Sequence, residues 1–209
     1  MKTITKLFIL LFVLSFVVSC TKDGFTVAEQ KRIIQDKSGD IMPLFTIESE
    51  SDSLLLREVA RDINSKNLKS SLMRKLNERM LATVTDSLNA GVGIAAPQVG
   101  ISVKMIYVQR FDKSGEPFEV YYNPVINELG DSIKTGREGC LSVPHYRGMV
   151  NRSQSIVISY MDSLGNEQTE KINGFTSVIF QHEVDHINGK LYYDRVEGGF
   201  KALTYIEEL

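Results

Sequence analysis

The segment QHEVDHINGK, residues 181–190, constrains the chain most, because it places two histidines four positions apart with a glutamate beside the first. If this segment is helical, His182 and His186 lie on one face, since 3.6 residues make a turn. Two imidazoles on one rigid helix can bind a metal ion, and Glu183 would then be close enough to accept a proton from water. Such a hydrolytic site needs a third protein ligand and one open position.

Two protease patterns would supply the third ligand downstream, and neither is satisfied. In metzincins the motif continues as HExxHxxGxxH. Here Gly189 matches, but Tyr192 occupies the place of the third histidine. A thermolysin-like glutamate would be Glu207 or Glu208, where we expect no helix to hold it.

The better candidate lies upstream, in the segment REGCLSVPHYRG, residues 137–148. Cys140 is one of only two cysteines in the chain, the other being Cys20. A thiolate binds divalent metals well, and a bound metal lowers the pKa of a thiol so that the anion forms at neutral pH. A lone cysteine is often just a small buried apolar residue, but beside HExxH we expect Cys140 to join His182 and His186.

The segment GVGIAAPQVG, residues 91–100, contains the pattern Gly-x-Gly-x-x-Ala. A dinucleotide fingerprint must follow a strand and open a helix. Here a helical segment precedes the pattern and Pro97 discourages a following helix, so we exclude nucleotide binding. The small residues would let a backbone approach closely, and Gln98 adds an amide donor nearby. A glycine-rich connection with no ligand is the remaining alternative.

Periodicity along the chain predicts an α+β fold. Short strands joined by tight turns favour antiparallel pairing, because parallel strands need long crossovers. Apolar spacing predicts helices over residues 52–65, 71–90 and 174–189, and strands over residues 102–109, 118–124, 155–162 and 167–173.

The three motifs, in this order, resemble those of peptide deformylase, a family that carries a GxGLAAPQ-type motif, then EGCLS, then HExDH. In this chain they are GVGIAAPQ (91–98), EGCLS (138–142) and HEVDH (182–186), with Ile94 in place of leucine as the single departure. The similarity continues in SVPHYRG and GKLYYDR and covers residues 43–197. It implies antiparallel β-sheets packed around a central metal-binding HExxH helix.

The resemblance also implies an activity: a metal-dependent hydrolase that removes the formyl group from N-formylmethionyl peptides. It makes Cys140, His182 and His186 the metal ligands and Glu183 the general acid and base. Family members favour Fe²⁺, although thiolate and imidazole also suit Zn²⁺ or another divalent metal.

Further site residues follow from the same resemblance. The oxyanion donors would be the Gln98 side chain and the Leu141 backbone N–H. His145 and Arg147 lie near the cysteine motif, but the sequence assigns them no role. The residues expected to contact the substrate are Gly91, Gly93, Ile94 and Gly139.

Two other functions stay open. One is an exported metallopeptidase or amidase of altered specificity, against which the missing histidine at Tyr192 argues. The other is a non-catalytic lipoprotein that binds formylated peptides, against which Glu183 and Gln98 argue. The net charge of −2 gives no basic surplus that would favour a nucleic acid as partner.

The first twenty residues, MKTITKLFILLFVLSFVVSC, differ from the rest of the chain. Lys2 and Lys6 precede an apolar run over residues 7–18, which is too short to span a bilayer but typical of a secretory signal peptide. The pair Ser19-Cys20 resembles the lipobox of bacterial lipoproteins, in which the cysteine carries lipid. An ordinary secretion signal or an uncleaved anchor is the alternative.

Three parts of the chain are therefore expected. Residues 1–19 form a signal peptide, residues 20–42 a lipidated cysteine with a flexible tether, and residues 43–209 one catalytic domain. Such a protein would be anchored in the bacterial cell envelope and face the periplasm or the exterior. If the signal is not used, the protein would be cytoplasmic.

Overall fold

The computed structural model of the chain describes residues 22–35, 41–87 and 91–207. The predicted signal peptide, residues 1–19, and the predicted lipidation site at Cys20 lie outside these residues. Among the described residues, no helix has the length and apolar character needed to cross a membrane.

The described part of the chain alternates helices and strands in a mixed order. The helices are α1 (Val27–Ile34), α2 (Glu50–Leu56), α3 (Ser71–Thr85) and α4 (Phe175–Ile187). The strands are β1 (Gly93–Ala95), β2 (Met105–Gln109), β3 (Phe118–Leu129), β4 (Ile133–Cys140), β5 (Val143–Ser153), β6 (Ser155–Met161), β7 (Glu167–Asn173) and β8 (Thr204–Tyr205).

The strands form two sheets. One has five strands in the order β1-β2-β3-β6-β7, and the other has three strands in the order β4-β5-β8. All neighbours within these sheets pair antiparallel, which confirms the predicted α+β class and the predicted pairing. The β4-β5 hairpin was not predicted, because IKTGREGC has exposed, mostly polar positions with no apolar alternation.

Helix α4 is the central element, and its prediction is confirmed. Its apolar side, with Phe180 and Ile187, packs against buried residues of β2 such as Ile106. Its other side carries Glu183 and His186, which are also buried. A helix buried on both sides must find partners for its polar groups, and those partners define the site described below.

The predicted helix over residues 52–65 is wrong beyond Leu56. After a last turn closed by Arg57 and Glu58, the backbone bonds to other elements. The Ala60 N–H donates to the carbonyl of Ile187 at 2.9 Å, and the Lys104 N–H donates to the carbonyl of Arg61 at 2.8 Å. Helix α3 likewise ends at Thr85, earlier than predicted.

The prediction of a flexible tether through residue 42 is wrong for residues 22–35, which form an N-terminal arm packed on the domain. The arm contains α1, whose start is capped reciprocally by Thr26 and Glu29. Phe25 and Ile33 are 1% and 0% exposed within the main core. The helix has only eight residues, too few for a clear apolar period in the sequence.

Glu29 attaches this arm to the domain. Its carboxylate accepts hydrogen bonds from the backbone N–H groups of Thr26 and Ser102, at 2.8 and 2.9 Å, and from Arg61 at 2.7 Å. Burial alone would raise the pKa of Glu29, but the bonds from Arg61 and the backbone outweigh it and lower the pKa. The ionised form is therefore favoured in the folded state.

Glu29→Gln is expected to lower the free energy of unfolding at pH 7 by about 1–3 kcal/mol, since a buried charge-assisted network loses its acceptor. Because the folded-state pKa is depressed, this stabilisation is present above the unfolded pKa and disappears as the pH falls through the folded pKa. Urea unfolding of both proteins from pH 7 downwards measures the difference. Glu167→Gln, at an exposed position of β7, is the control, and an equal effect of both substitutions would contradict the assignment.

Candidate metal centre

Cys140, His182 and His186 come together in the interior. Each offers one ligand atom, and these atoms all lie within 4.8 Å of one another. Cys140 Sγ and His186 Nε2 are 3.2 Å apart. One thiolate and two imidazoles from rigid elements are a donor set that fits a divalent transition metal.

The end of the β4-β5 hairpin positions Cys140. The register between the strands shifts between Glu138 and Cys140, so that Cys140 pairs with Val143 across a two-residue turn. A register shift of this kind redirects the strand end. The Ser142 N–H then points back at Cys140 Sγ, 3.4 Å away, which helps to fix the position of the sulfur.

Gln98 faces the same sulfur from the opposite side. It lies in a short 3₁₀ helix after β1 and is 2% exposed. Its Oε1 accepts a hydrogen bond from the Ala95 N–H at 2.8 Å, while its Nε2 lies 3.5 Å from Cys140 Sγ. With the oxygen fixed, the amide N–H₂ can only point towards the site.

Glu183 lies against the backbone of β1. A Cβ atom at Gly93 would be 2.5 Å from Glu183 Oε1, so only glycine allows this contact. The other carboxylate oxygen, Oε2, is buried and has no hydrogen-bond partner among the described residues. Burial raises the pKa of Glu183 to about 7, which suits a group that exchanges protons near neutral pH.

A chain of polar contacts behind the ligands was missed by sequence reasoning. Glu138 Oε2 accepts a hydrogen bond from His182 Nδ1 at 2.9 Å, which leaves the other ring nitrogen free to face the site. Arg152 donates to Glu138 at 2.9 Å and to Asp185 at 2.6 Å. Glu138 and Asp185 lie within two of the motifs, but Arg152 lies in none.

The protonation of this cluster follows from its contacts. Burial alone would raise the pKa of Glu138, but hydrogen bonds from His182 and Arg152 lower it to about 2. Burial lowers the pKa of His186 well below its usual value, so this imidazole is neutral as a ligand must be. Burial also acts to lower the pKa of His182, yet hydrogen bonding to Cys140 and Glu138 raises it, and a metal ion would compete for that proton.

A cavity of about 530 Å³ opens onto the ligands. Among the predicted site residues, those that line it are Gly91, Gly93, Gln98, Gly139, Cys140, Leu141, His182 and Glu183. His186 lies behind them at 1% exposure. Lining residues to which the sequence assigned no role include His145, Arg147, Arg137 and Phe175.

The predicted contact between Ile94 and the substrate stays a prediction, and the Ile94 side chain itself lies away from the cavity. Ile94 is fully buried in the main core, near Met80, and does not line the cavity. Successive side chains of a strand point to opposite faces, and Gly93 takes the cavity side of β1. Tyr192, which occupies the position of the metzincin histidine, packs parallel to His182 with ring centroids 6.2 Å apart.

A buried cysteine and two histidines, beside a glutamate oxygen with no partner in the described residues, define a metal-dependent hydrolase. The sequence model of the polypeptide deformylase family matches residues 43–201. This chain therefore belongs to the peptide deformylase family.

Individual relatives agree with this assignment. Peptide deformylase 2 of Nostoc sp. is 38% identical over 144 residues, which cover 66% of this chain and 79% of the relative. The peptide deformylase of Leptospira biflexa is 33% identical over 162 residues, covering 74% and 89%.

Solved structures show the same fold. The class I type b peptide deformylase from Acinetobacter baumannii, with Met-Ala-Ser bound, superposes with a TM-score of 0.66 at 34% identity, covering 75% of this chain and 98% of that one. The peptide deformylase from Thermotoga maritima gives 0.65 at 30% identity, with the same coverage. The predicted arrangement of antiparallel sheets around a central helix is thereby confirmed.

Gly93→Ala is expected to lower kcat about 10- to 100-fold. The added methyl group would push the Glu183 carboxylate out of its position next to the reacting atoms. Formate release from a formyl-Met peptide measures the loss, and metal content is expected to be unchanged. Gly136→Ala is the matched control, since a Cβ at that position meets nothing within 4 Å. Equal activity of the two variants would contradict the contact.

Proposed function

We propose that this enzyme removes the formyl group from N-formylmethionyl peptides and releases formate and a free amino terminus. The convergence of Cys140, His182 and His186 beside Glu183, in a cavity of a peptide deformylase fold, carries the proposal. The peptide bound in the Acinetobacter baumannii structure begins with methionine, which supports a peptide substrate for this chain.

The metal would be held by Cys140, His182 and His186, and we propose Fe²⁺ as the native ion. Zn²⁺ or another divalent metal fits the same donors. When bound, such an ion polarises the formyl carbonyl and makes water more acidic.

Gln98 and Leu141 stabilise the charge that develops on the formyl oxygen. The Gln98 amide is held with its N–H₂ towards the site, and the Leu141 N–H belongs to the turn directly after Cys140. Both donors are fixed before the reaction, so they cost no reorganisation when the charge appears. Removing one donor of this kind typically raises the barrier by about 2.7–4 kcal/mol.

Glu183 moves the proton. Its unpartnered Oε2 is available to accept a proton from the attacking water and to return it to the leaving amine. The carboxylate is held between α4 and the backbone of β1, so it cannot swing away from the reacting atoms.

The peptide chain would lie along β1. This strand is at the edge of the five-stranded sheet and pairs only with β2 within it. An edge strand offers free backbone groups that an extended peptide can pair with. Gly91 and Gly93 line the cavity at this edge, where their lack of side chains permits close approach.

Glu183→Ala is expected to retain the metal but to lose turnover about 10²- to 10⁴-fold, because it removes only the proton carrier. Cys140→Ala should lose both metal and turnover. Formate release, together with metal analysis after gel filtration, separates these cases. Near-normal turnover in a metal-loaded Glu183→Ala protein would contradict the assigned role.

We also propose that the protein is exported and anchored through a lipid on Cys20. The order of lysines, apolar run and Ser19-Cys20 supports this. The described residues begin at Lys22, two positions after Cys20, and two residues span at most about 7 Å, so the lipid would lie close to the domain. The substrates would then be formylated peptides outside the cytoplasm.

Labelled palmitate is expected to enter the wild-type protein, grown in a bacterium with a lipoprotein pathway, and not Cys20→Ala. Cell fractionation should place the wild-type protein with the membranes. An unprocessed, soluble cytoplasmic protein without label would contradict the anchor.

A further inference from the structure

One face of the β4-β5 hairpin carries two arginines at the mouth of the cavity. Arg137 of β4 pairs with Met149 of β5. Positions two residues apart share a face of a strand, so Arg147 and Gly139 lie on the same face as that pair. Arg137 and Arg147 both line the cavity that contains the metal ligands.

Gly139 brings Arg147 close to the site. A Cβ at Gly139 would be 2.3 Å from Arg147 Nε and 2.5 Å from its Cζ. The guanidinium therefore lies across β4 directly over the residue that precedes Cys140. Any side chain at Gly139 would displace it from this position.

In the part of the chain that the structure describes, neither guanidinium is paired with a carboxylate. Within the described residues, Arg147 donates to the backbone carbonyl of Tyr146 at 2.8 Å, and no carboxylate forms an ion pair with Arg147 or Arg137. Neither of the two carboxylates that line the cavity forms an ion pair with these arginines. Glu138 is bonded to Arg152, and Glu183 is buried beside the ligands.

We propose that Arg137 and Arg147 select formylated peptides that carry a carboxylate beyond the formyl-methionine. This specificity rests on the proposed deformylase function and adds a substrate class to it. Guanidinium groups bind carboxylates through paired, charge-assisted hydrogen bonds, and two uncompensated cations at a cavity mouth also attract anions from solution. The carboxylate can be an acidic side chain or the carboxyl terminus of a short peptide.

The first test compares three peptides on the wild-type enzyme: formyl-Met-Ala-Gln amide, formyl-Met-Ala-Glu amide and formyl-Met-Ala-Gln with a free carboxyl terminus. At least one acidic peptide is expected to exceed the neutral amide in kcat/KM by about 3- to 10-fold at low salt, as two partly exposed ion pairs allow. The preference should decrease at high salt, since such pairs are screened. Comparing the two acidic peptides shows whether the enzyme prefers a carboxylate on a side chain or at the carboxyl terminus. Equal kcat/KM for all three peptides would overturn the proposal.

The second test assigns the preference to the two arginines. In the double variant Arg137→Gln/Arg147→Gln, the ratio of kcat/KM for the acidic peptide to kcat/KM for the neutral peptide should fall towards one. Any effect of the substitutions on the chemistry that both peptides share cancels in this ratio. Arg74→Gln is the matched control, because Arg74 is an exposed arginine on α3 outside the cavity. If the double variant does not fold, Arg137→Gln alone, at an exposed position, should lower the ratio part of the way towards one. An unchanged ratio in the variants would overturn the proposal.

The failure of this proposal is distinguishable from the failure of the proposed function. Turnover of the neutral amide measures deformylation, whereas the ratio measures selection. If no peptide is turned over, the proposed deformylase function is wrong. The preference for acidic peptides can then still be measured, by competition binding of the same peptides to the metal-loaded protein. Equal binding of acidic and neutral peptides overturns the selection by Arg137 and Arg147.

Discussion

The site depends on one buried arginine. Arg152 is 4% exposed, and its guanidinium joins Glu138 of β4 to Asp185 of α4. It thereby fixes the strand that ends in Cys140 against the helix that carries the histidines. Breaking a buried ion pair by removing one partner typically costs about 3–5 kcal/mol, because a charge is left unpaired in the interior. The three ligand atoms therefore keep their positions because this network is complete.

The same network explains how a helix can be buried with so many polar groups. Asp185 also accepts hydrogen bonds from Arg195, and Gln181 bonds to the backbone of Ser153. These contacts leave Glu183 as the carboxylate of α4 with an oxygen that lacks a partner. Among the described residues the other buried acids, Glu29 and Asp185, are both paired. The reactivity of the site is therefore concentrated at the unpartnered oxygen of Glu183.

Much of this site could be predicted from the sequence, because its chemistry lies in short motifs with fixed spacing. The helical period placed His182 and His186 on one face, and elimination of downstream candidates left Cys140. The hairpin that holds Cys140 could not be predicted, since its exposed strand carries no apolar alternation. The direction of the Ile94 side chain could not be predicted, because a motif position does not tell which face of a strand a side chain takes. Arg152 was missed because its partners are distant in sequence.

The N-terminal arm shows a second limit. Eight helical residues gave no readable period, yet Glu29 and two apolar side chains bind them firmly to the domain. The arm lies outside the stretch that matches the family, residues 43–201. This chain therefore adds a packed element to the part that matches the family.

X-ray absorption spectroscopy of the zinc-loaded protein tests most directly whether Cys140 is the third ligand. One sulfur at about 2.3 Å and two imidazole nitrogens at about 2.0–2.1 Å are expected. The sulfur contribution should be absent from Cys140→Ser while the imidazole signal remains. A wild-type spectrum with only nitrogen and oxygen ligands would contradict the site, and with it the account of how this chain holds its metal.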